Sequence, residues 1–247
     1  MRIALLADVH SNLEALLACL ADARARGADA YAFLGDLVGY GADPCAVLDV
    51  VATHVAQGAI AVRGNHDEAA LTGNSESMNQ AAAEAIAWTR PRLSRRHLEL
   101  LDALPLTVRR DDALYVHASA SSPKEWAYVT GPVEAAHSLV AARATYVFCG
   151  HVHEPMLYFL GAAGRPLPFE PVPGVAIPVP ARRQWLAIAG SVGHPRSGLP
   201  SARYAIMDRD AASITFLKVA YDWRTAAAKV RAAGLAERLA LRLERGK

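Results

Sequence analysis

Cysteine is scarce in this chain. The three residues present, Cys19, Cys45 and Cys149, are odd in number, widely spaced and free of any C-x-x-C pattern. That excludes a disulfide framework and a thiolate zinc site, and free buried thiols are expected instead. Long hydrophobic runs are missing too. None reaches the ~20 residues of a membrane span, and the first holds only about five apolar residues before Asp8, shorter than a signal-peptide core. A soluble, cytoplasmic protein with no membrane partner is therefore expected. Charge of one sign is absent, since 26 Lys plus Arg against 24 Asp plus Glu leave a net +2. This balance gives no signal for nucleic acid, and no basic stretch interleaved with aromatics suggests a nuclease groove. Internal repeats and separate linkers are lacking as well. With 247 residues, 53% of them hydrophobic, residues 1–247 are expected to bury a sizeable core as one domain.

What is present is a recurring arrangement at the ends of short apolar runs. The run Arg2 to Ala7 ends in Asp8-Val9-His10, which puts a carboxylate and an imidazole on alternate residues, facing the same way. Gly35-Asp36, Gly64-Asn65-His66-Asp67, Val116-His117 and Gly150-His151-Val152-His153 each repeat the placement of a metal-ligating residue type just after such a run. Taken singly these are weak signals. A lone His117 in an apolar strand is more often a hydrogen-bonded core histidine, and Asp8 could cap a helix.

Between these ends the chain alternates strand and helix. Ser11 or Asn12 can cap a helix carrying Leu13, Leu16, Leu17 and Leu20 and ending near Gly27. Tyr31 to Leu34 and Ala59 to Val62 read as strands, and Pro44 to His54 as a helix. The segment Ser77 to Leu104 is helical in pattern, punctuated by Pro91 and Pro105. Its Arg90, Arg92, Arg95 and Arg96 read as a solvated face. Leu114 to His117 and Tyr146 to Cys149 are strands around a helix from Pro132 to Ala142. This alternation predicts a largely parallel sheet.

From Met156 the strand-like pieces follow one another: Met156 to Leu160, Trp185 to Ala189, Ala202 to Met207 and Ser213 to Val219. A hairpin turn at Asp208 to Ala211 and a second, mainly antiparallel sheet follow from this. Gly161 to Pro180, with six prolines, is either a loop at the mouth of the site or a strand-edge excursion. Trp223 to Arg245 is an amphipathic helix interruptible at Gly234. His54, His97 and His137 lie in helical segments and are expected on the surface.

Asp8, His10, Asp36, Asn65, His117, His151 and His153 form a mixed oxygen and nitrogen set. It suits Mn, Fe, Zn or Ni. Seven donors are too many for one tetrahedral ion, whereas one carboxylate bridging two ions about 3.5–4 Å apart would use them all. The order of the five motifs resembles the calcineurin-like metallophosphoesterase family from Met1 to His153. The resemblance implies an α/β fold, a four-layer α/β/β/α sandwich of two mixed sheets flanked by helices. It also implies two divalent transition-metal ions, with manganese first among the candidates. Asp8, His10 and His153 would hold one, Asn65, His117 and His151 the other, and Asp36 would bridge them. A water or hydroxide shared by the ions would attack the phosphoester. His66 would stand beside them as the catalytic residue, donating a proton to the leaving oxygen or hydrogen-bonding the phosphate, and Asp67 would support a ligand or form the turn.

Past His153 the resemblance narrows to small bacterial and archaeal phosphodiesterase-like members, which carry Asn-Pro-Gly-Ser-Val near this point. Here Ile188 and Ala189 replace Asn-Pro before Gly190-Ser191-Val192. Asn12, Asp67, His194 and Arg196 are candidates for supporting or substrate-binding roles. Family members acting on phosphoserine or dinucleoside tetraphosphates carry an Arg, and the protein phosphatases also an Asp, just after the bridging Asp. This chain has Tyr40 and Gly39 there. A small phosphodiester, nucleotides included, fits better as substrate. The alternatives are a phosphomonoesterase, a protein or dinucleoside-polyphosphate phosphatase, or a non-catalytic scaffold of the same fold.

Overall fold

A computed structural model describes residues 1–161, 164 and 166–247. In chain order it contains β1 (Arg2–Leu6), α1 (Leu13–Ala25), β2 (Ala30–Phe33), α2 (Pro44–Ala56), β3 (Ile60–Ala61), α3 (Asn65–Thr72) and α4 (Gln80–Thr89). A 3-10 turn (Arg90–Arg92) leads to α5 (Arg95–Ala103), β4 (Thr107–Arg110), β5 (Ala113–Val116), α6 (Pro132–Ala142), β6 (Tyr146–Cys149) and β7 (Met156–Leu160). The chain closes with β8 (Pro166–Phe169), β9 (Ala176–Pro178), β10 (Trp185–Ile188), β11 (Ser201–Asp208), β12 (Ser213–Ala220), α7 (Trp223–Ala232) and α8 (Glu237–Arg245).

The strands form two six-stranded mixed sheets, ordered β3-β2-β1-β11-β12-β9 and β4-β5-β6-β10-β7-β8. In the first, β1 runs parallel to β2 with Leu6 opposite Phe33, and antiparallel to β11 with Ile3 opposite Met207. In the second, β6 lies parallel to β5 on one side and to β10 on the other. The division into a parallel and an antiparallel sheet is therefore corrected. The β11–β12 hairpin crosses back to the free edge of β1, while β10 joins β6 and β7 pairs with β10. Period-two patterning reports which face of a strand is buried and is silent about its neighbours.

Alternation along each strand builds three apolar layers. Ile3 and Leu5 of β1 meet Tyr115 of β5, Phe148 of β6, Trp185 of β10 and Phe216 of β12 between the sheets. Ala4 and Leu6 point outward against Leu16 and Cys19 of α1, Val47 and Val51 of α2, and Leu239 and Leu243 of α8. On the far side, Val147 and Leu186 pack on Ala135 and Leu139 of α6. The result is helix, sheet, sheet, helix.

Smaller departures have local causes. β4 escapes a hydrophobic reading because only its first half is partly buried and Arg109 and Arg110 are exposed. The Pro-rich stretch is an excursion along the sheet edges, where proline's missing N–H is tolerated. It supplies β8 to the edge of one sheet and β9 to the edge of the other; positions 162, 163 and 165 of that expectation lie outside the described residues. His97, expected on the surface, is buried at 8% exposure. Its ring closes a capping box with Ser94 and contacts Asp49 at 3.2 Å. Residues Trp223 to Arg245 divide at Gly234 into α7 and α8, packed together. No helix among the described residues is long and apolar enough to cross a membrane.

Candidate metal centre

The C-terminal ends of β1, β2, β3, β5 and β6 open onto one side of the sandwich, and the loops that follow them are laced together. The backbone N–H groups of Asp8, His10 and Ser11 donate to the carbonyls of Gly35, Asp36 and Leu37, and Gly150 N–H donates to His117 O. Asp8, His10, Asp36, His151 and His153 all have positive φ, between 48° and 70°. Non-glycine residues in this left-handed region are strained, and five of them around one point are held only because their surroundings over-determine them.

The loops bring together all seven residues of the expected donor set. His10 Nε2 faces His153 Nε2 at 3.2 Å, and His153 Nε2 lies 3.6 Å from Asp8 Oδ1. On the other side, His117 Nε2 faces His151 Nδ1 at 3.1 Å and Asn65 Oδ1 at 3.2 Å. Asp36 Oδ2 stands between the two groups, 3.7 Å from His10 Nε2 and 3.4 Å from His117 Nε2. Three clusters of ligating atoms result: Asp8, His10, His153; His10, Asp36, His66; and Asp36, His117, His151. His66, placed outside the donor set by the sequence reading, comes within reach of it.

The donor chemistry fits cations. His10 Nδ1 donates to Val38 O and His153 Nδ1 to His194 O, so in the neutral rings the Nε2 atoms present bare lone pairs, while His117 Nδ1 donates to Leu34 O and turns its Nε2 toward Asp36. Two such lone pairs facing each other across 3.2 Å, in the case of His10 and His153, repel unless a positive charge lies between them. His151 Nε2 is buried without a hydrogen-bond partner. The charges agree. Burial pushes the Asp8 carboxyl up to about 7. Burial would lower His117, yet Asp36 and Asp8 beside it raise it to about 9. Buried carboxylates that draw a proton onto a neighbouring imidazole are a site short of positive charge.

A supporting layer fixes these groups. Asp67 accepts from the N–H groups of Leu37, Val38 and Gly64 at 2.9–3.1 Å, tying two loops into one body. The N–H of His66 donates to Asp36 Oδ1 at 2.9 Å. The Gly190-Ser191-Val192 segment clamps the β1 loop, Ser191 Oγ donating to Asp8 O and Val192 N–H to Ala7 O. Asn12 has its carboxamide engaged elsewhere: its oxygen caps α1 by accepting from Ala15 N–H, and its NH₂ donates to Gly193 O. It therefore braces the loops from behind. His194 is buried with both ring nitrogens unpartnered and stacks on Tyr40 at 4.2 Å.

Above the donors lies a cleft of about 710 Å³, lined by Asn65, His66, His151, Tyr40, Trp126 and Tyr128 among others. Tyr128 stacks on His151 with ring centroids 3.9 Å apart, and Trp126 meets His117 edge-on at 5.9 Å. These two aromatics were missed by sequence reasoning. Their signal was a pair of large aromatics in a polar loop between β5 and α6, where no core calls for them.

The sequence model for calcineurin-like phosphoesterases matches residues 1–155. The chain belongs to the calcineurin-like phosphoesterase family. It is 33% identical over 250 residues to the uncharacterized protein MJ0912 of Methanocaldococcus jannaschii, covering 99% of this chain and 98% of that one. Its fold is similar to a metallophosphoesterase from Sphaerobacter thermophilus, at 36% identity and a TM-score of 0.88 over 100% of this chain and 99% of the other. It is also similar to the hypothetical protein PH1004 from Pyrococcus horikoshii OT3, at 17% identity and a TM-score of 0.79 over 100% and 98%, a likeness of fold. Membership makes this calcineurin-like phosphoesterase a hydrolase of phosphoesters, with His and Asp groups that could bind metal.

Proposed function

We propose that residues 1–247 form one domain that works as a metal-dependent phosphodiesterase on small or nucleotide substrates, with two divalent ions of which manganese is the first choice. Asp8, His10 and His153 would hold one ion and Asn65, His117 and His151 the other, with Asp36 shared. The observation that carries this reading is the Asp36 carboxylate lying within 3.7 Å of an imidazole from each group. When bound, such a pair supplies Lewis acidity, making water a better nucleophile near neutral pH and neutralising charge on the phosphoryl oxygens.

The chain's own residues account for the rest. Burial would raise Asp36, but His117, His66 and His10 around it hold the carboxyl well below its usual range, so it stays an anion. His66 has Nδ1 enclosed against Gly39 and without a partner, which leaves Nε2 as the atom that faces the cleft. Burial lowers the His66 pKa while Asp36 opposes this; the protonated ring would give its Nε2 proton to the leaving oxygen and return to neutral imidazole, and Asp36 holds the residue in place through the backbone bond.

Preference for a diester rests on Gly39 and Tyr40. A Cβ at Gly39 would overlap His66 Nδ1, so no carboxylate can stand there to orient the imidazole. Tyr40 is a buried phenol packed between His66, at 4.6 Å, and His194, where an Arg would clamp a doubly charged phosphate. A diester carries one charge fewer and needs one clamp fewer. Trp126 and Tyr128 offer flat faces for an aromatic or nucleobase group. The test is a hydrolysis panel in added manganese: phosphomonoesters, nucleotide diesters, cyclic nucleotides, dinucleoside polyphosphates and a phosphopeptide. Aryl or nucleotide diesters should be cleaved best; a phosphopeptide as best substrate would overturn the preference.

A further inference from the structure

Beside the cleft, on the far side of Tyr40, lies a second and smaller cavity of about 130 Å³, lined by Tyr40, Asn79, His194, Arg196, Arg238 and Arg242 among others. Tyr40 and Asn79 line both spaces, so the two adjoin. The small cavity is cationic. Arg238 is matched by Glu84 at 3.2 Å. Among the described residues Arg196 donates only to Val152 O, at 3.4 Å, and neither it nor Arg242 pairs with a carboxylate.

Two half-buried guanidiniums facing one space without a counterion are costly unless an anion visits them. Burial lowers the Arg242 pKa, and the neighbouring Arg196 charge lowers it further. A second observation points the same way. His194, 5% exposed, lines the cavity with both ring nitrogens lacking a partner, a polar group buried with nothing to bond and therefore suited to a ligand.

We propose that Arg196 and Arg242, with Tyr40 and His194 beside them, form a subsite for a second phosphate group of the substrate, joined to the scissile phosphate through a sugar-sized spacer. The spacing comes from Tyr40, whose ring stands between His66 at 4.6 Å and His194 at 4.2 Å. A phosphate joined directly as an anhydride would sit too close to the donors to reach past this ring. Arg242 comes from the C-terminal helix α8, more than two hundred residues after Asp36, so α8 would contribute to specificity as well as to packing. The subsite rests on the reading of the large cleft as the place where the scissile phosphate binds.

Calorimetric titration of manganese-loaded protein with thymidine 3′,5′-bisphosphate and with thymidine 5′-monophosphate tests it. The bisphosphate should bind about tenfold tighter or better, the gain of a charge-assisted contact. The ratio should collapse toward one in Arg242→Gln and in Arg196→Gln, and be partly kept in Arg242→Lys, which retains the charge and checks that lost binding is not lost folding. Equal affinities in the wild type, or a preference that survives in the Arg196→Gln/Arg242→Gln double variant, would overturn the subsite. Hydrolysis of bis(p-nitrophenyl) phosphate is followed in parallel. If that diester is not cleaved, the diesterase reading fails on its own while the affinity ratio still decides the subsite.

Discussion

The middle of β1 and the loop that follows it lie three residues apart and obey opposite rules. Leu5 is wholly buried among apolar side chains between the sheets, and the strand around it is regular and paired on both sides. Asp8 and His10 are as deeply buried, but in left-handed backbone, among like-charged or lone-pair-bearing groups. The first region gains free energy by excluding water; the second costs free energy and is carried by the first. Stability and chemistry thus separate along a single stretch of chain, and mutations in the two regions should report different quantities.

The largest effect is expected at Asp36. Asp36→Asn should lower both manganese occupancy and turnover by more than the about 10–100-fold typical of an outer-shell partner, with little loss of thermal stability in metal-free protein. Full activity in the variant would break the contrast.

His66→Gln should come next. It should keep the metal and lose about 10²–10⁴-fold in kcat on a nucleotide or alkyl ester, but less on a nitrophenyl diester, whose leaving group needs no proton. Equal loss on both esters would make His66 a positioning group, and loss of metal would make it a ligand beside His10 and Asp36.

Leu5→Ala probes the other region. It should cost about 2–5 kcal/mol by denaturant unfolding and leave metal stoichiometry and kcat unchanged while the protein is folded; a variant that folds but loses metal would show the regions to be less separate than described.

The smallest effect should be at Lys229 of α7, which reaches Glu14 of α1 at 2.5 Å and Asp43 before α2 at 2.9 Å. Burial would lower its pKa, but these carboxylates raise it. The contribution therefore holds below the ordinary lysine range and is lost as pH climbs past the raised value. Being partly exposed, the pair should contribute less than about 1 kcal/mol, seen as a small drop in Tm for Lys229→Ala at pH 8.

The strand ends were legible because the signal is local: a short apolar run, then a ligating residue, five times in one chain. The two mixed sheets and flanking helices followed from the resemblance those motifs carry, and the family match and the similar folds agree. Sheet partnership was not legible, since nothing in Ser201 to Asp208 says that it returns to β1. Nor was the fate of single polar residues. Asn12 spends its amide on α1 and Gly193, and His97 is drawn inward by a Ser94 cap that reads like any helix surface. Arg242 looked like one more charge on an amphipathic helix, and only the packing of α8 sets it beside Arg196 and Tyr40.

Whether Asp36 serves both groups of donors is decided by counting ions. Protein stripped with a chelator and titrated with manganese, with metal read by elemental analysis, should saturate near two ions per chain. In Asp36→Asn, occupancy should fall at both positions. Saturation at one ion, unchanged by Asp36→Asn, would contradict the shared carboxylate.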